Sequence, residues 1–382
     1  MRVCYFGTYR ANYIRNRLMI YRLQQHGVEV IECHESLWKG ITDREDIASG
    51  GWKTPTFWWR FVSTYYRLIN RYKNIGQYDI LMVGYPGQPD LLLAWLISRL
   101  HGKPLVWDVL MSIYLIACER GIHDTSPLSV WLIHQLEHLV SHLPDVLLID
   151  TIEYAHWFQD NYHLSPDRIN LIPLGADDRI FFPKVDIQDN DGQLTCIYYG
   201  TYIQNHGVTV IIQAASLLSK YPDILFELIG EGPEKRKVQE LVKEYDLHNI
   251  KFYDWMEETT LVQHIAKADI CLGTFGSTPQ SLLTMQNKIH EGMAMAKPVV
   301  NGDSPVMRNA LQHGENIFLC ERENPEALAN AILTLRNQPE LRSHIAHQGY
   351  KTYQANFSLD IIGRHLMQCL EIELNRRNKI NP

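Results

Sequence analysis

One alternation constrains this chain more than any other feature. Short apolar runs are separated by longer stretches whose apolar residues recur at helical spacing. Residues 2–6 read as a first strand, closed by Gly7 and followed by a helical pattern ending near His26 and Gly27. Further strands are predicted at 28–33, 80–83, 105–108, 146–149 and 169–172. Strands that are apolar along their whole length belong in a parallel sheet, because each parallel connection lays a helix against a face and buries it. The pattern stops at 183–194 (PKVDIQDNDGQL), a polar, acidic stretch that reads as an interdomain linker. It resumes with strands predicted at 196–199, 225–229, 250–253, 270–272 and 298–300. Val208, Ile211, Ile212 and Ala215 mark a one-faced helix after the first of these. A last helix, about 359–376, follows the completed second sheet and has no strand of its own to cover. The expected division is therefore an N-terminal Rossmann-like domain at 1–182, a linker at 183–194, a C-terminal domain at 195–358, and a terminal helix within 359–382 that packs back on the first domain.

Length and composition agree with two soluble domains: 382 residues, 46% hydrophobic and 21% charged. The net charge is -7, and neither half is basic, so a nucleic-acid partner is not expected. The seven cysteines are odd in number and scattered, with no CxxC pair. That argues against a disulfide framework or a zinc ribbon and for reduced thiols in a cytoplasm. The opening MRVCYFGTYR is too short an apolar run for a signal peptide. No stretch reaches the roughly 20 apolar residues of a spanning helix, and even 105–118 is interrupted by Asp108.

Several residues stand where such sheets bind ligands, at strand ends. In the second half, Gly200, Thr201, His206 and Gly207 belong to a loop (GTYIQNHG) between a strand and a helix, where backbone N–H groups can face an anion. Gly230 and Gly232 (IGEGP) follow another strand and permit close backbone approach to a ligand. Asn287 reads as the N-cap of the next helical segment, which places Lys288 in its first turn and Glu291 three residues on, on the same face. A cation there opposes the helix dipole by roughly 0.3–1 kcal/mol, a penalty that a bound phosphate reverses. Lys288 then suits a diphosphate and Glu291 the hydroxyls of a ribose. The alternative is an exposed Lys–Glu pair on a surface helix.

In the first half, Gly7, Arg15 and Asn16 follow the first strand. Arg15 suits a phosphate or an acceptor anion, or else is a solvated helix residue. Asp108, Ser112 and Tyr114 follow a strand end within an apolar segment. Asp108 suits a general base toward an acceptor hydroxyl, or else a helix N-cap. His156 stands past another strand end and reads as a cleft or a surface histidine. His134 and His138 have metal-ligand spacing, but without an HExxH order no metal is expected. The segment 52–73 carries Lys53, Arg60, Arg67, Arg71 and Lys73, no acid, and Trp52, Trp58, Trp59, Tyr65 and Tyr66. It suits peripheral contact with a membrane interface, or a domain helix that buries its aromatic face.

The segments YYGTYIQNHGVTVIIQAA, LIGEGPEK, ADICLGTFG and NKIHEGMAMAKPVV, in this order and spacing, resemble the family 4 glycosyltransferases, of group 1 type. So do FGTYRANYIRNRLMIYRLQQHGVEV, KPLVWDVLMSIY and LIPLGADDRIFFP in the first half. The resemblance implies an α/β GT-B fold, two doubly wound domains facing a central cleft, with a nucleotide-diphosphate sugar on the second domain and an unidentified acceptor (lipid-linked, glycan or small molecule) on the first. It implies transfer with retention of configuration and no cofactor or metal. Two departures stand out. The family often carries two glutamates eight apart; Glu291 matches the second, and Leu283 stands at the first. Many members also place an Arg and a Lys in the first loop of the second domain, where this chain has Thr201, Tyr202 and His206. These departures keep open a catalytically silent module that binds a nucleotide sugar or a partner, and the shared architecture keeps open a nucleotide-sugar epimerase.

Overall fold

A computed structural model describes residues 1–38, 47, 49–184 and 192–380. The chain forms two compact units. Met1–Pro173 and the segment from Ile362 onward make the first, and Leu174–Ile361 the second. The chain thus leaves the first unit at Pro173, ahead of the border expected at 182. Most of the expected linker, 185–191, lies outside the described residues.

The first unit is a six-stranded parallel sheet in the order β2-β1-β3-β4-β5-β6. Its strands are β1 (Arg2–Gly7), β2 (Glu29–His34), β3 (Ile80–Val83), β4 (Leu105–Asp108), β5 (Val146–Ile149) and β6 (Ile169–Leu171). The central strands are buried along their whole length, as uninterrupted apolar runs require. Helices α1 (Ile14–Gln25), α2 (Pro55–Tyr72), α3 (Leu91–His101), α4 (Ile113–Glu119), α5 (Ile122–Thr125), α6 (Pro127–Ser141) and α7 (Ile152–Tyr162) connect them. Several start on local signals: Thr54 caps α2, with Pro55 at its first position, Ser112 caps α4 and Thr151 caps α7.

Right-handed crossovers fix which face each helix covers. The step from β1 to β2 runs opposite to the steps through β3, β4 and β5, so α1 lies on one face and α2, α3 and α6 lie on the other. The terminal helix Leu359–Ile380 joins α1. Its Ile362, Leu366, Cys369 and Leu370 share a core with Met19 and Leu23 of α1 and with Val3, Tyr5, Ile80 and Met82 of the sheet. On the opposite face, α2 turns Thr64 and Leu68 into the protein, and Tyr72 meets the ring of Phe6 at 6.1 Å. The segment expected either to cover the sheet or to present aromatics outward does both. Trp58 and Trp59 are 49% and 76% exposed on its outer side. Among the described residues, no helix is long and apolar enough to cross a membrane.

The second unit repeats the plan in the order β12-β11-β10-β7-β8-β9. Its strands are β7 (Leu194–Tyr199), β8 (Ile224–Ile229), β9 (Ile250–Tyr253), β10 (Ile270–Leu272), β11 (Val299–Gly302) and β12 (Phe318–Cys320). Its helices are α8 (Val208–Leu217), α9 (Lys235–Glu244), α10 (Glu258–Lys267), α11 (Pro279–Leu283), α12 (Asn287–Ala294), α13 (Pro305–Ala310), α14 (Pro325–Asn337) and α15 (Pro339–Asn356). The strand β12 is absent from the sequence reading. It is a three-residue edge strand, half-buried for two residues, at the end of the short apolar run 317–320. In each unit the order reverses beside the first strand, between β1 and β3 and between β7 and β10. Open α/β sheets bind ligands at such a reversal, on the carboxyl edge.

Candidate donor site at the carboxyl edge of the second sheet

Three loops meet at the end of β7, and the glycines there are demanded by backbone packed on backbone. Gly200 has φ 134°, Gly230 φ 137° and Gly232 φ 154°, which L side chains rarely adopt. A Cβ on Gly230 would stand 2.0 Å from the Gly200 carbonyl oxygen, and one on Gly232 2.6 Å from the backbone of Tyr202. A Cβ on Gly207, at φ 63°, would stand 2.4 Å from the Gly276 nitrogen. The sequence reading gave Gly230 and Gly232 to the approach of a ligand. In the structure the space each leaves is filled by the neighbouring loop, so they hold the site's shape from behind. Gly230→Ala is expected to cost about 1–3 kcal/mol through strain and overpacking. An unchanged urea-unfolding midpoint would show that this loop packing is not needed.

Gly200 faces something different: a Cβ there would stand 3.2 Å from the Lys288 Nζ. Lys288 is buried in the first turn of α12. Its ammonium lies 4.0 Å from the centroid of the Tyr198 ring and 3.4 Å from His206 Nδ1. Among the described residues it has no ion pair. Burial pushes its pKa down to about 7, against the pull of Glu291. One turn on, Glu291 is pushed up to about 7 by burial, against a hydrogen bond from the Tyr199 hydroxyl and the charge of Lys288. The Tyr199 hydroxyl also lies 3.1 Å from the Lys288 carbonyl oxygen. His206 turns Nδ1 inward, 2.7 Å from the Thr201 carbonyl and 2.9 Å from the Tyr198 hydroxyl. A desolvated cation resting on an aromatic face, beside a carboxyl whose charge burial also disfavours, is a site for an anion.

The start of α12 adds to this. Its N-cap is Gln286, not the expected Asn287, and no side chain caps it. The Gln286 side chain is spent elsewhere, accepting from the Thr274 hydroxyl and donating to Thr284. The first N–H groups of the helix therefore keep their dipole for a ligand. Tyr198 and Tyr199 were read from the sequence only as strand residues. Two tyrosines closing a strand at a glycine loop were the signal available, and the parallel register alone brings them to α12. A cavity of about 530 Å³ lined by Asp303, Arg308, His313 and Arg322, among others, lies elsewhere in this unit and contains none of these residues.

In the first unit the corresponding edge is filled by its own side chains. Gly7 faces Asp90, whose carboxylate accepts from the Thr8 N–H at 2.8 Å, and a Cβ on Gly7 would stand 2.5 Å from it. Asn16 uses every hydrogen-bonding position it has. Its Nδ2 donates to the Arg10 and Tyr85 carbonyls, and its Oδ1 accepts from the Tyr5 hydroxyl and the Tyr85 N–H. Arg15 grips Asp108 at 2.8–3.0 Å and donates to the Ile172 and Pro173 carbonyls. Both side chains of that pair are fully buried. The general-base reading of Asp108 and the anion-binding reading of Arg15 give way to a structural clamp, since neither group has a face left for a substrate. The N-cap alternative for Asp108 fails too, because Ser112 caps α4. Ser112 is buried on Glu137, whose carboxylate also accepts from Gln88 and Tyr162. Tyr114 packs its ring 4.7 Å from that of His134, and His138 lies 5.7 Å from the Tyr162 ring. His156 is exposed on α7, the surface reading of that residue.

Residues 193–338 match the family model described as Glycosyl transferases group 1. The resemblance read from the sequence agrees with that match, which spans most of the second unit, and the two sheets are those of the GT-B fold. The chain is 29% identical to the putative glycosyltransferase EpsD of Bacillus subtilis over 304 residues, 75% of each chain. Sucrose-phosphate synthase from Thermosynechococcus elongatus superposes with a TM-score of 0.75 at 14% identity, over 98% of this chain and 100% of that one. The Anabaena protein Alr3699/HepE, solved in complex with UDP-glucose, gives 0.66 at 15% identity, over 97% and 99%. Other curated relatives are matched over about half their own length, 48% and 43% in two cases.

Proposed function

We propose that this protein is a glycosyltransferase that binds a nucleotide-diphosphate sugar on its second unit and moves the sugar to an acceptor. The observation that carries the reading is the buried ammonium of Lys288, without an ion pair among the described residues, at the uncapped start of α12, with Glu291 one turn on. Lys288 and the first N–H groups of α12 hold the diphosphate, and Glu291 accepts the ribose hydroxyls. As the bond from the sugar to the phosphate oxygen breaks, negative charge gathers on the departing diphosphate, where the same cation and dipole stabilise it. The acceptor oxygen forms the new bond, and its proton passes to the departing diphosphate oxygen. Retention of configuration is part of the proposal and places the acceptor on the face the diphosphate leaves. The seven cysteines are free thiols, which supports a cytoplasmic setting.

A thermal-shift screen over nucleotides and nucleotide sugars tests the donor, since a ligand bound only by the folded state raises its stability. Nucleoside diphosphates are expected to stabilise the protein more than nucleosides do. Glu291→Gln is expected to weaken the nucleoside itself by about tenfold, the loss of one charge-assisted hydrogen bond. Equal affinity of variant and parent for the nucleoside would remove Glu291 from the ribose. Leu283 favours a second reading, a module that binds the donor without turning it over. Stabilisation by a nucleotide sugar with neither hydrolysis nor transfer would select it.

A further inference from the structure

The outer faces of α2, α3 and α6 break the usual pattern of helices that cover a sheet. In α2 the outward stripe is Trp59, Val62, Tyr66 and Ile69, with Trp58 beside it. In α3 it is Leu92, Trp95, Leu96 and Leu100, and in α6 it is Leu128, Trp131, Leu132 and Leu139. Each set recurs at i, i+3, i+4 and i+7 or close to it, so each helix is apolar on its outer face as well as its inner one. Trp59, Leu100 and Trp131 are 76%, 74% and 55% exposed.

The three helices lie side by side on one face of the sheet. The Tyr65 hydroxyl of α2 reaches Asp90, just ahead of α3, at 2.6 Å, and Tyr72 meets His101 of α3 at 5.9 Å. Gln88, before α3, donates to Glu137 of α6 at 2.9 Å, and Trp52, before α2, donates to Ser129 of α6 at 2.8 Å. Three such stripes together exceed the few hundred Å² that a monomer's surface ordinarily leaves apolar.

Charge decides the occupant. The three helices contain one acidic residue, Glu137, and it is fully buried. Apart from the half-buried Arg60, their cations and those of the flanking turn, Lys53, Arg67, Arg71, Lys73 and Arg99, are exposed. Glu35 pairs with Arg67 and Arg71, and Asp145 with Arg99, from outside the helices. A face of Trp, Tyr and Leu whose helices turn no acid outward, with more cations than acids at its rim, matches the headgroup boundary of an anionic bilayer, where indole and phenol rings settle and ammonium and guanidinium groups meet lipid phosphates.

We propose that α2, α3 and α6 together form a docking face for an anionic lipid surface, on which the first unit rests without crossing it. The single segment 52–73 recognised from sequence is one third of this face. The proposal stands apart from the assignment of glycosyl transfer, because it is read by binding alone.

Co-sedimentation of the whole protein with vesicles of phosphatidylcholine, and with vesicles containing a third phosphatidylglycerol, tests it. Binding is expected to the anionic vesicles at low salt and to weaken at high salt. Trp59→Glu, Leu100→Glu and Trp131→Glu, one on each helix, are each expected to weaken it by about tenfold. All three sites are exposed, and a thermal melt of each variant confirms that it remains folded. Loss with Trp59→Glu alone would reduce the face to one helix and overturn the proposal. So would an absence of binding to anionic vesicles, or self-association abolished by the same substitutions in protein that ignores vesicles, which would give the face to a second copy of the chain.

Discussion

Asp108→Asn is expected to lower the stability of the protein by about 3–5 kcal/mol, because it leaves the Arg15 guanidinium charged, buried and without its carboxylate. The pair is fully enclosed, and Arg15 is held by three separate contacts: Asp108 at the end of β4 and the carbonyls of Ile172 and Pro173 just past β6. The clamp therefore ties the first helix to two strand ends and to the point where the chain leaves the first unit. Asp150, buried beside Arg15 and pushed up to about 7 by burial, offers a second carboxylate that offsets part of the loss. This places the expectation toward the lower end of the range. Urea unfolding of parent and variant measures it. The partner experiment separates charge from packing. Replacing Asp108 and Arg15 together by Leu and Met is expected to recover part of the loss, since an apolar pair leaves no buried charge. Recovery stays incomplete because the Ile172 and Pro173 carbonyls lose their donor, at about 1–3 kcal/mol for each left unsatisfied. A variant Asp108→Asn with parental stability and reduced turnover would restore the catalytic reading of this residue.

That reading illustrates what the sequence can and cannot disclose. The strands at 80–83, 105–108, 146–149, 250–253 and 270–272 stand where apolar run length and turn residues place them. Burial on both faces of a parallel strand is written directly into composition. The terminal helix was legible for the same reason: an apolar stripe with no sheet left to cover must find one elsewhere, and it does so beside α1. Polar residues are different. Asp108 in an apolar segment signals that its charge is compensated, but the compensating group, Arg15, is 93 residues away and is brought there by sheet order alone. Lys288, at a helix start, and Asp108, at a strand end, each look in sequence like a single charge at an element's end. Only the fold shows that Asp108 has an ion pair, and that Lys288 has none among the described residues. The glycines mislead in a related way. Positive φ at Gly230 and Gly232 is visible as a requirement, while the neighbour that imposes it is a second loop rather than a ligand. The outward apolar faces of α3 and α6 escaped notice because a helix that is apolar on both sides reads, from sequence, as simply more buried.

The contrast between the two sheet edges leads to the second large effect. At the first sheet the reversal of strand order is plugged by Asp90 and Asn16; at the second, a buried ammonium has no ion pair among the described residues and only Glu291, one turn on, to offset its charge. Lys288→Ala is expected to weaken a nucleoside diphosphate by about 10²–10³-fold, the worth of a charge-assisted contact to phosphate made out of water. The corresponding nucleoside should lose little. The pH dependence gives a sharper signature. In the free protein Lys288 is held at about 7, so raising the pH above 7 empties the protonated form that a diphosphate selects. A bound anion raises the pKa of the lysine. Between the free and bound values the dissociation constant should therefore grow with pH, by at most about tenfold per pH unit for this one proton. Glu291, also near 7, loses its proton over the same range. Its negative charge, one turn from the ammonium, favours the protonated lysine and blunts the slope, so Glu291→Gln should steepen it. In Lys288→Ala the lysine's share of the slope should be lost. Titration calorimetry of a nucleoside diphosphate from pH 6 to 9 measures all three. A parent affinity flat across that interval, together with equal losses of nucleoside and diphosphate in Lys288→Ala, would show that the lysine shapes α12 without meeting the phosphates.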